Sequence, residues 1–172
     1  MTSKIKIALD CMGGDDAPIM VVRGADLAVE RQPDIFFHLV GNQKEIMPLI
    51  KASRHLGSDN HKITHTQKKV AADDKPSVAL RGGRDTSMRL AIDLVSDGSA
   101  DGVVSAGNTG ALMAMSKLSL RMCPGIERPA IASFFPTLKG ESCMLDLGAN
   151  IECDANNPVS YTHLTLTTKR IV

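Results

Sequence analysis

Apolar and polar residues follow two alternating patterns along most of the chain. Short apolar runs of strand length are separated by longer stretches in which apolar residues recur every three or four positions, as on one face of a helix. The apolar runs predict strands at residues 5–9, 35–40, 63–66, 101–105, 130–134 and 143–147. The longer stretches predict helices at residues 18–31, 43–53, 77–80, 86–97 and 109–121.

This alternation of strands and helices predicts an α/β fold. A mostly parallel sheet with helices on both faces gives three layers, α/β/α, because each crossover helix packs on a face of the sheet. We expect residues 1–157 to form this domain. In open parallel sheets, ligands bind beyond the carboxyl ends of the strands, where the chain enters a helix. The candidate chemistry is therefore sought in those loops.

Composition removes several classes of function. Lys and Arg number 20 against 19 Asp and Glu, and a net charge of +1 gives no field to hold nucleic acid. Four Phe, one Tyr and no Trp are too few for a base-stacking platform. No run reaches the roughly 18 apolar residues of a membrane span, and the amino terminus does not resemble a signal peptide. We expect a cytosolic protein with no nucleic-acid partner.

The cysteines give no sign of a metal site or a disulfide framework. None of them forms a C-x-x-C pair, and each lies in or beside an apolar segment. We expect reduced, buried thiols and no metal. The residues concerned are Cys11, Cys123, Cys143 and Cys153.

The last fifteen residues differ from the rest of the chain. Residues 158–172 hold four of the ten threonines and the only tyrosine, Tyr161. A final edge strand is one interpretation of this segment. We favour the other, that residues 158–172 are foreign to the gene.

Three loops at predicted strand ends are rich in Gly, Asp and Asn: residues 10–18, 105–111 and 146–150. Glycine lets the backbone approach a ligand, and the free amides at a helix start favour an anion. The sequence Gly107-Asn108-Thr109-Gly110 therefore indicates a phosphate cradle. The alternative is that these glycines only form tight turns and cap helices.

Standard nucleotide and serine-hydrolase signatures are missing. The sequence has no G-x-x-x-x-G-K-[ST], no G-x-G-x-x-G after a strand and no G-x-S-x-G. This disfavours a dinucleotide-dependent dehydrogenase, a P-loop ATPase and covalent serine catalysis. Arg128 lies next to Glu127, so it is either a phosphate partner or one half of a local ion pair.

The loops and strand ends together resemble the bacterial phosphate acyltransferase family. The match covers residues 3–157, and its motifs are specific in combination although each is weak alone. The matching segments are Ala8-Leu9-Asp10, Met12-Gly13-Gly14-Asp15, Val40-Gly41-Asn42, Val104-Ser105-Ala106-Gly107-Asn108-Thr109-Gly110-Ala111-Leu112-Met113, Gly125-Ile126-Glu127-Arg128-Pro129-Ala130 and Leu145-Asp146-Leu147-Gly148-Ala149-Asn150.

The resemblance implies a fold related to phosphotransacetylases and isopropylmalate-type dehydrogenases. That fold is incomplete here, because family chains continue well beyond residue 157 and the second half is missing. The resemblance also implies a homodimeric cytoplasmic enzyme that works peripherally at the membrane. Such an enzyme moves a fatty acyl group from acyl carrier protein to inorganic phosphate without a metal or other cofactor. A membrane glycerol-3-phosphate acyltransferase then uses the acyl phosphate for phospholipid synthesis.

Two alternatives stay open at this point. One is a short-chain phosphate acyltransferase that uses acyl-CoA. The other is a non-catalytic fragment that keeps the anion-binding loop.

For this chemistry we predict catalytic roles for three residues and substrate-binding roles for seven. Amides and side chains near the start of the helix at 109 hold phosphate, the first glycine loop shapes the opposite wall, and a third loop donates to phosphate or to the carbonyl oxygen. The predicted catalytic residues are Asn108, Asn150 and Asp15. The predicted substrate-binding residues are Gly13, Gly14, Ser105, Gly107, Thr109, Gly110 and Arg128, the last as a distant charge partner.

Overall fold

The computed structural model describes residues 4–124, 126 and 129–145, in two compact units divided after Leu120. The first unit contains four strands and five helices. The strands are β1 (Ile5–Asp10), β2 (Ile35–Gly41), β3 (His61–His65) and β4 (Gly102–Val104). The helices are α1 (Ile19–Arg31), α2 (Gln43–Ala52), α3 (Pro76–Gly82), α4 (Ser87–Ser96) and α5 (Thr109–Leu120).

The four strands of the first unit form one parallel sheet in the order β3-β2-β1-β4. In the β1–β2 register Leu9 lies opposite Leu39, and Leu9 also lies opposite Val104 of β4. The parallel sheet confirms the α/β fold predicted from the sequence.

Both faces of this sheet are covered by helices. Because successive side chains of a strand point to opposite faces, Leu9 and Leu39 pack with α1 and α2, whereas Ala8 and Val40 pack with α4 on the other side. Helix α5 continues the second layer, where its Met115 shares a buried cluster with Met88 of α4. The first unit thus has the three predicted layers.

The strand order places a reversal of the chain path between β1 and β4. From β1 the chain moves outward to β2 and β3, and it then returns to the other side of β1 to form β4. The loop after β1 leads to α1 on one face, and the loop after β4 leads to α5 on the other. A crevice opens between two loops that diverge in this way, and such a switch point is the usual ligand site of an open α/β sheet.

The described part of the second unit is an antiparallel hairpin, β5 (Ala132–Thr137) with β6 (Gly140–Leu145). The sequence predicted strands at 130–134 and 143–147 within a mostly parallel sheet. The observed strands have different bounds, and they pair with each other in antiparallel orientation. The reason is the short connection, Leu138 and Lys139, because parallel neighbours need a connection of about a dozen residues or more.

Three further predictions concern the cysteines, membrane-spanning helices and the last fifteen residues. Cys11 is buried as predicted, but the prediction of buried thiols is wrong for Cys123 and Cys143, which are exposed. Within residues 4–124, 126 and 129–145, no helix has the length and apolar character needed to cross a membrane. The segment predicted to be foreign, 158–172, lies outside the described residues.

Candidate functional site

A cleft of about 580 Å³ opens at the switch point between β1 and β4. Three chain segments line it: the loop after β1, the segment after β3, and the loop that runs from β4 into α5. The lining residues are Met12, Gly14, Asp15, Lys69, Val70, Ala71, Ala72, Ala106, Gly107, Asn108 and Thr109. All three segments follow carboxyl ends of parallel strands, so the sheet topology itself brings them together.

A buried carboxylate ties the two main loops together behind the cleft. Asp10 is only 1% exposed, and its Oδ2 accepts a 2.7 Å hydrogen bond from the Ser105 hydroxyl. Its Oδ1 accepts from the amide of Met12 at 3.3 Å. The Ser105 oxygen in turn accepts from the amide of Gly107 at 3.1 Å. The loop after β1 and the loop after β4 are thus fixed relative to each other by one short network.

Two glycines let these loops approach each other closely. A Cβ on Gly13 would lie 2.5 Å from Oδ2 of Asp10 and 2.8 Å from Oγ of Ser105. A Cβ on Gly107 would lie 3.2 Å from Cα of Gly13. A side chain at either position would therefore push the loops apart, which explains why glycine stands at both.

The Asn108 side chain builds the cleft wall. Its Oδ1 accepts from the amide of Ala111 at 2.9 Å and so caps α5. Its Nδ2 donates to the carbonyl oxygens of Ala72 and Asp74, each at 2.9 Å, and lies 3.4 Å from that of Ala71. Both ends of this side chain are therefore engaged with backbone, and it joins the start of α5 to the segment 71–74.

The segment after β3 is held at several points. The Thr66 hydroxyl donates to the carbonyl of Asp85 at 2.6 Å, and the Lys68 carbonyl accepts from the amide of Ser87 at 2.9 Å. Further on, Oδ2 of Asp74 accepts from the amide of Ala71 at 2.9 Å. This wall of the cleft belongs to none of the three loops predicted from the sequence. The available signal was topological, because any loop after a parallel strand reaches the same edge of the sheet.

The electrostatics of the cleft suit an anion. The first amides of α5, at Thr109 and Gly110, have no partner within the helix and carry the positive end of its dipole. Lys69 adds a cation and Asp15 a carboxylate to the lining. The helix start, the lysine and the glycine backbone together favour an anion such as phosphate. The carboxylate of Asp15 favours an anion that keeps a hydroxyl group to donate to it.

Cysteine chemistry is disfavoured beside this site. Burial, together with the negative charge of Asp10, raises the pKa of the Cys11 thiol to about 12. The thiol is thus neutral at physiological pH, and only a thiolate is an effective nucleophile.

Most of the predicted site residues come together in the structure. Five of them line the cleft, Gly14, Asp15, Gly107, Asn108 and Thr109. Gly13 and Ser105 lie directly behind it in the network of Asp10, and Gly110 belongs to the first turn of α5. Asn150 and Arg128 lie outside the described residues. The structure gives the positions of the other eight residues, and the roles of all ten remain predictions.

Comparison with known proteins gives a consistent set of matches. A family model described as "Fatty acid synthesis protein" matches residues 5–171. The chain is 60% identical over 161 residues to a protein of Rhodospirillum centenum named phosphate acyltransferase, covering 94% of this chain and 45% of that one. Proteins of the same name from Rhodospirillum rubrum and Parvibaculum lavamentivorans are 55% and 49% identical, over 94% and 100% of this chain and 46% and 48% of theirs. The chain therefore spans about half the length of the curated relatives it matches.

Proposed function

Since the chain belongs to the family of fatty acid synthesis proteins, we propose that the protein carrying it is a phosphate acyltransferase. It moves a fatty acyl group from acyl carrier protein to inorganic phosphate and forms acyl phosphate for phospholipid synthesis. The relatives that the chain matches are named phosphate acyltransferase, which supports the reaction class.

The cleft at the switch point is the observation that carries this proposal. Its lining combines glycine backbone, the start of α5 and one lysine. These groups provide backbone donors and positive charge for an anion the size of phosphate. The sequence has no nucleotide-binding signature that would favour a nucleotide as the ligand of this cleft.

In the proposed reaction a phosphate oxygen attacks the thioester carbonyl carbon. The new O–C bond forms as the carbonyl becomes a tetrahedral oxyanion, and the C–S bond then breaks to release the thiolate of the carrier. Phosphate is already a competent nucleophile, so positioning and stabilisation of the oxyanion supply most of the rate.

The residues of the cleft divide this work. The amides of Thr109 and Gly110 hold phosphate, and Asn108 fixes the helix start that presents them. Asp15 accepts a hydrogen bond from the hydroxyl of hydrogen phosphate and so orients the attacking oxygen. Asn150 donates to phosphate or to the carbonyl oxygen, and Arg128 is a distant charge partner.

Partners and location follow from the same proposal. The acyl donor is acyl carrier protein, and the enzyme is a homodimer that needs no cofactor. It is cytoplasmic and works peripherally at the membrane, where a glycerol-3-phosphate acyltransferase consumes the product. Acyl phosphate is a reactive mixed anhydride, so delivery at the membrane limits its loss to water.

The test uses the longest gene product that carries this sequence, with the 172-residue chain alongside. Palmitoyl acyl carrier protein and phosphate are mixed, free thiol is followed with a chromogenic reagent, and acyl phosphate is trapped with hydroxylamine. We expect thiol and hydroxamate in equal amounts, both dependent on phosphate.

Other outcomes point to the two alternatives. Turnover of acetyl-CoA but not of acyl carrier protein would identify a short-chain enzyme. Phosphate binding by calorimetry without turnover of either donor would identify an anion-binding module.

A further inference from the structure

We propose that Lys69 binds the phosphate and compensates its second negative charge. This inference rests on the proposed function and adds a substrate-binding residue that the sequence motifs do not contain. Lys69 lies on the cleft wall formed by the segment after β3, which also supplies Val70, Ala71 and Ala72 to the lining.

The backbone on both sides of Lys69 is fixed. On the amino side, the amide of Lys68 donates to Oγ1 of Thr66 at 3.2 Å, and its carbonyl is bound by the amide of Ser87. On the carboxyl side, Val70 is 8% exposed and packs in a buried cluster with α3, α4 and α5. The Cα of Lys69 is thus positioned by its neighbours, and only the flexible side chain has to order on binding.

The neighbouring lysine has a different task. Nζ of Lys68 lies 2.7 Å from Oδ2 of Asp85 and forms an exposed ion pair with it. Lys69 has no ion pair with any residue in the described part of the chain, and it is the one lysine or arginine among the described lining residues. Two adjacent lysines are thus divided between a structural ion pair and a cation facing the cleft.

The charge of the ligand favours such a cation. Hydrogen phosphate carries two negative charges near neutral pH, and Asp15 on the same lining adds a third. The start of α5 contributes about half a positive charge, which leaves most of the negative charge uncompensated. A lysine side chain supplies a charge-assisted hydrogen bond that an amide does not.

The experiment compares Lys69→Met, Lys69→Arg and, as the matched control, Lys68→Met. Phosphate affinity is measured by calorimetry, and KM for phosphate and for acyl carrier protein is measured in the longest gene product. We expect Lys69→Met to weaken phosphate binding about tenfold and to leave the KM for the acyl donor unchanged. Lys69→Arg keeps the charge and stays within about threefold of the native affinity. Lys68→Met binds phosphate as the native protein does.

Each outcome separates this inference from the proposed function. Equal phosphate affinity of Lys69→Met and the native protein overturns the role of Lys69, whatever the activity. A loss of affinity in Lys69→Met without thioester turnover by the native protein supports Lys69 and refutes acyl transfer. Absence of phosphate binding by the native protein overturns both. Unchanged thermal unfolding of all three variants excludes a loss of fold as the cause.

Discussion

The carboxylate of Asp10 and the hydroxyl of Ser105 form a 2.7 Å hydrogen bond that joins the carboxyl ends of β1 and β4. Asp10 is almost fully buried, so its carboxylate oxygens accept hydrogen bonds from protein donors in place of water. Two of these are the hydroxyl of Ser105 and the amide of Met12. This pair therefore links the stability of the fold to the geometry of the cleft directly in front of it.

Replacing Ser105 by Ala removes one donor from a buried carboxylate. We expect Ser105→Ala to lower the free energy of unfolding by about 1–3 kcal/mol, measured by urea denaturation. The matched control is Ser58→Ala, because Ser58 donates to Asp59 at 3.1 Å in an exposed position. The control should change stability by less than about 0.5 kcal/mol. A Ser105→Ala protein as stable as the native one would mean that Asp10 does not need this donor.

Replacing Gly13 by Ala introduces a Cβ where two oxygen atoms already lie within 2.8 Å. We expect Gly13→Ala to destabilise the chain by about 1–3 kcal/mol and to widen the cleft. Gly24→Ala in α1 is the control, since a Cβ there meets nothing within 4 Å. That control should be more stable than the native chain by about 0.5–1 kcal/mol, since alanine is the better helix former. Thermal unfolding should therefore show a lower melting temperature for Gly13→Ala and a higher one for Gly24→Ala than for the native chain. A Gly13→Ala protein as stable as the native one would mean that the loops do not need glycine there.

Replacing Asn108 by Asp separates its two functions. The carboxylate still caps α5, but the atom that donated to the carbonyls of Ala72 and Asp74 becomes an acceptor. We expect faster hydrogen exchange in residues 71–74 and a KM for phosphate about tenfold higher. Asn42→Asp is the control, because Asn42 caps α2 in the same way and its side chain is not part of the cleft lining given above. Asn108→Asp with an unchanged KM for phosphate would remove Asn108 from the site.

The carboxylate of Asp15 should distinguish phosphate from sulfate. Hydrogen phosphate has a hydroxyl that donates to a carboxylate, whereas sulfate has none and would only be repelled. We expect sulfate to inhibit Asp15→Asn about tenfold more strongly than it inhibits the native enzyme. The test measures the inhibition constant of sulfate, in competition with phosphate, for the native enzyme and for Asp15→Asn. Identical constants for the two proteins would contradict a contact between Asp15 and the phosphate hydroxyl.

Asp26 makes part of the stability depend on pH. Partial burial acts in the opposite direction, but hydrogen bonds from the amides of His55, Leu56 and Arg54 lower the pKa of this carboxyl. A carboxyl with a lowered pKa stabilises the fold above its ordinary pKa, and the effect is lost as the pH falls through the lowered value. We expect Asp26→Asn to cost about 1 kcal/mol at neutral pH and progressively less below about pH 4.

Urea denaturation of both proteins between about pH 3 and pH 7 tests this. A difference in stability that stays constant as the pH falls would show that the carboxylate charge plays no part.

The sequence predicted the elements of the first unit well because their signals are local. Periodic apolar residues identified α1, α2 and α4, and the glycine loops at 10–18 and 105–111 do line the cleft. Lys69 could not be found in this way, because it belongs to no glycine motif and reaches the site only through the strand order. The hydrogen bonds of the Asn108 side chain could not be predicted either, since its partners at 71–74 lie about 35 positions away in the sequence.

The strand order also determines when the cleft can form as the chain folds. The network of Asp10 and Ser105 spans 95 positions, so β1 is synthesised long before its partner in β4. The pairing of β1 with β2 and of β2 with β3 requires far shorter loops to close, and shorter loops close at a lower entropic cost. A nascent chain would thus hold three paired strands with an unfinished edge until β4 emerges from the ribosome. The cleft is consequently among the last features of this unit to appear, and the free edge of β1 stays open to pairing with another strand until β4 covers it.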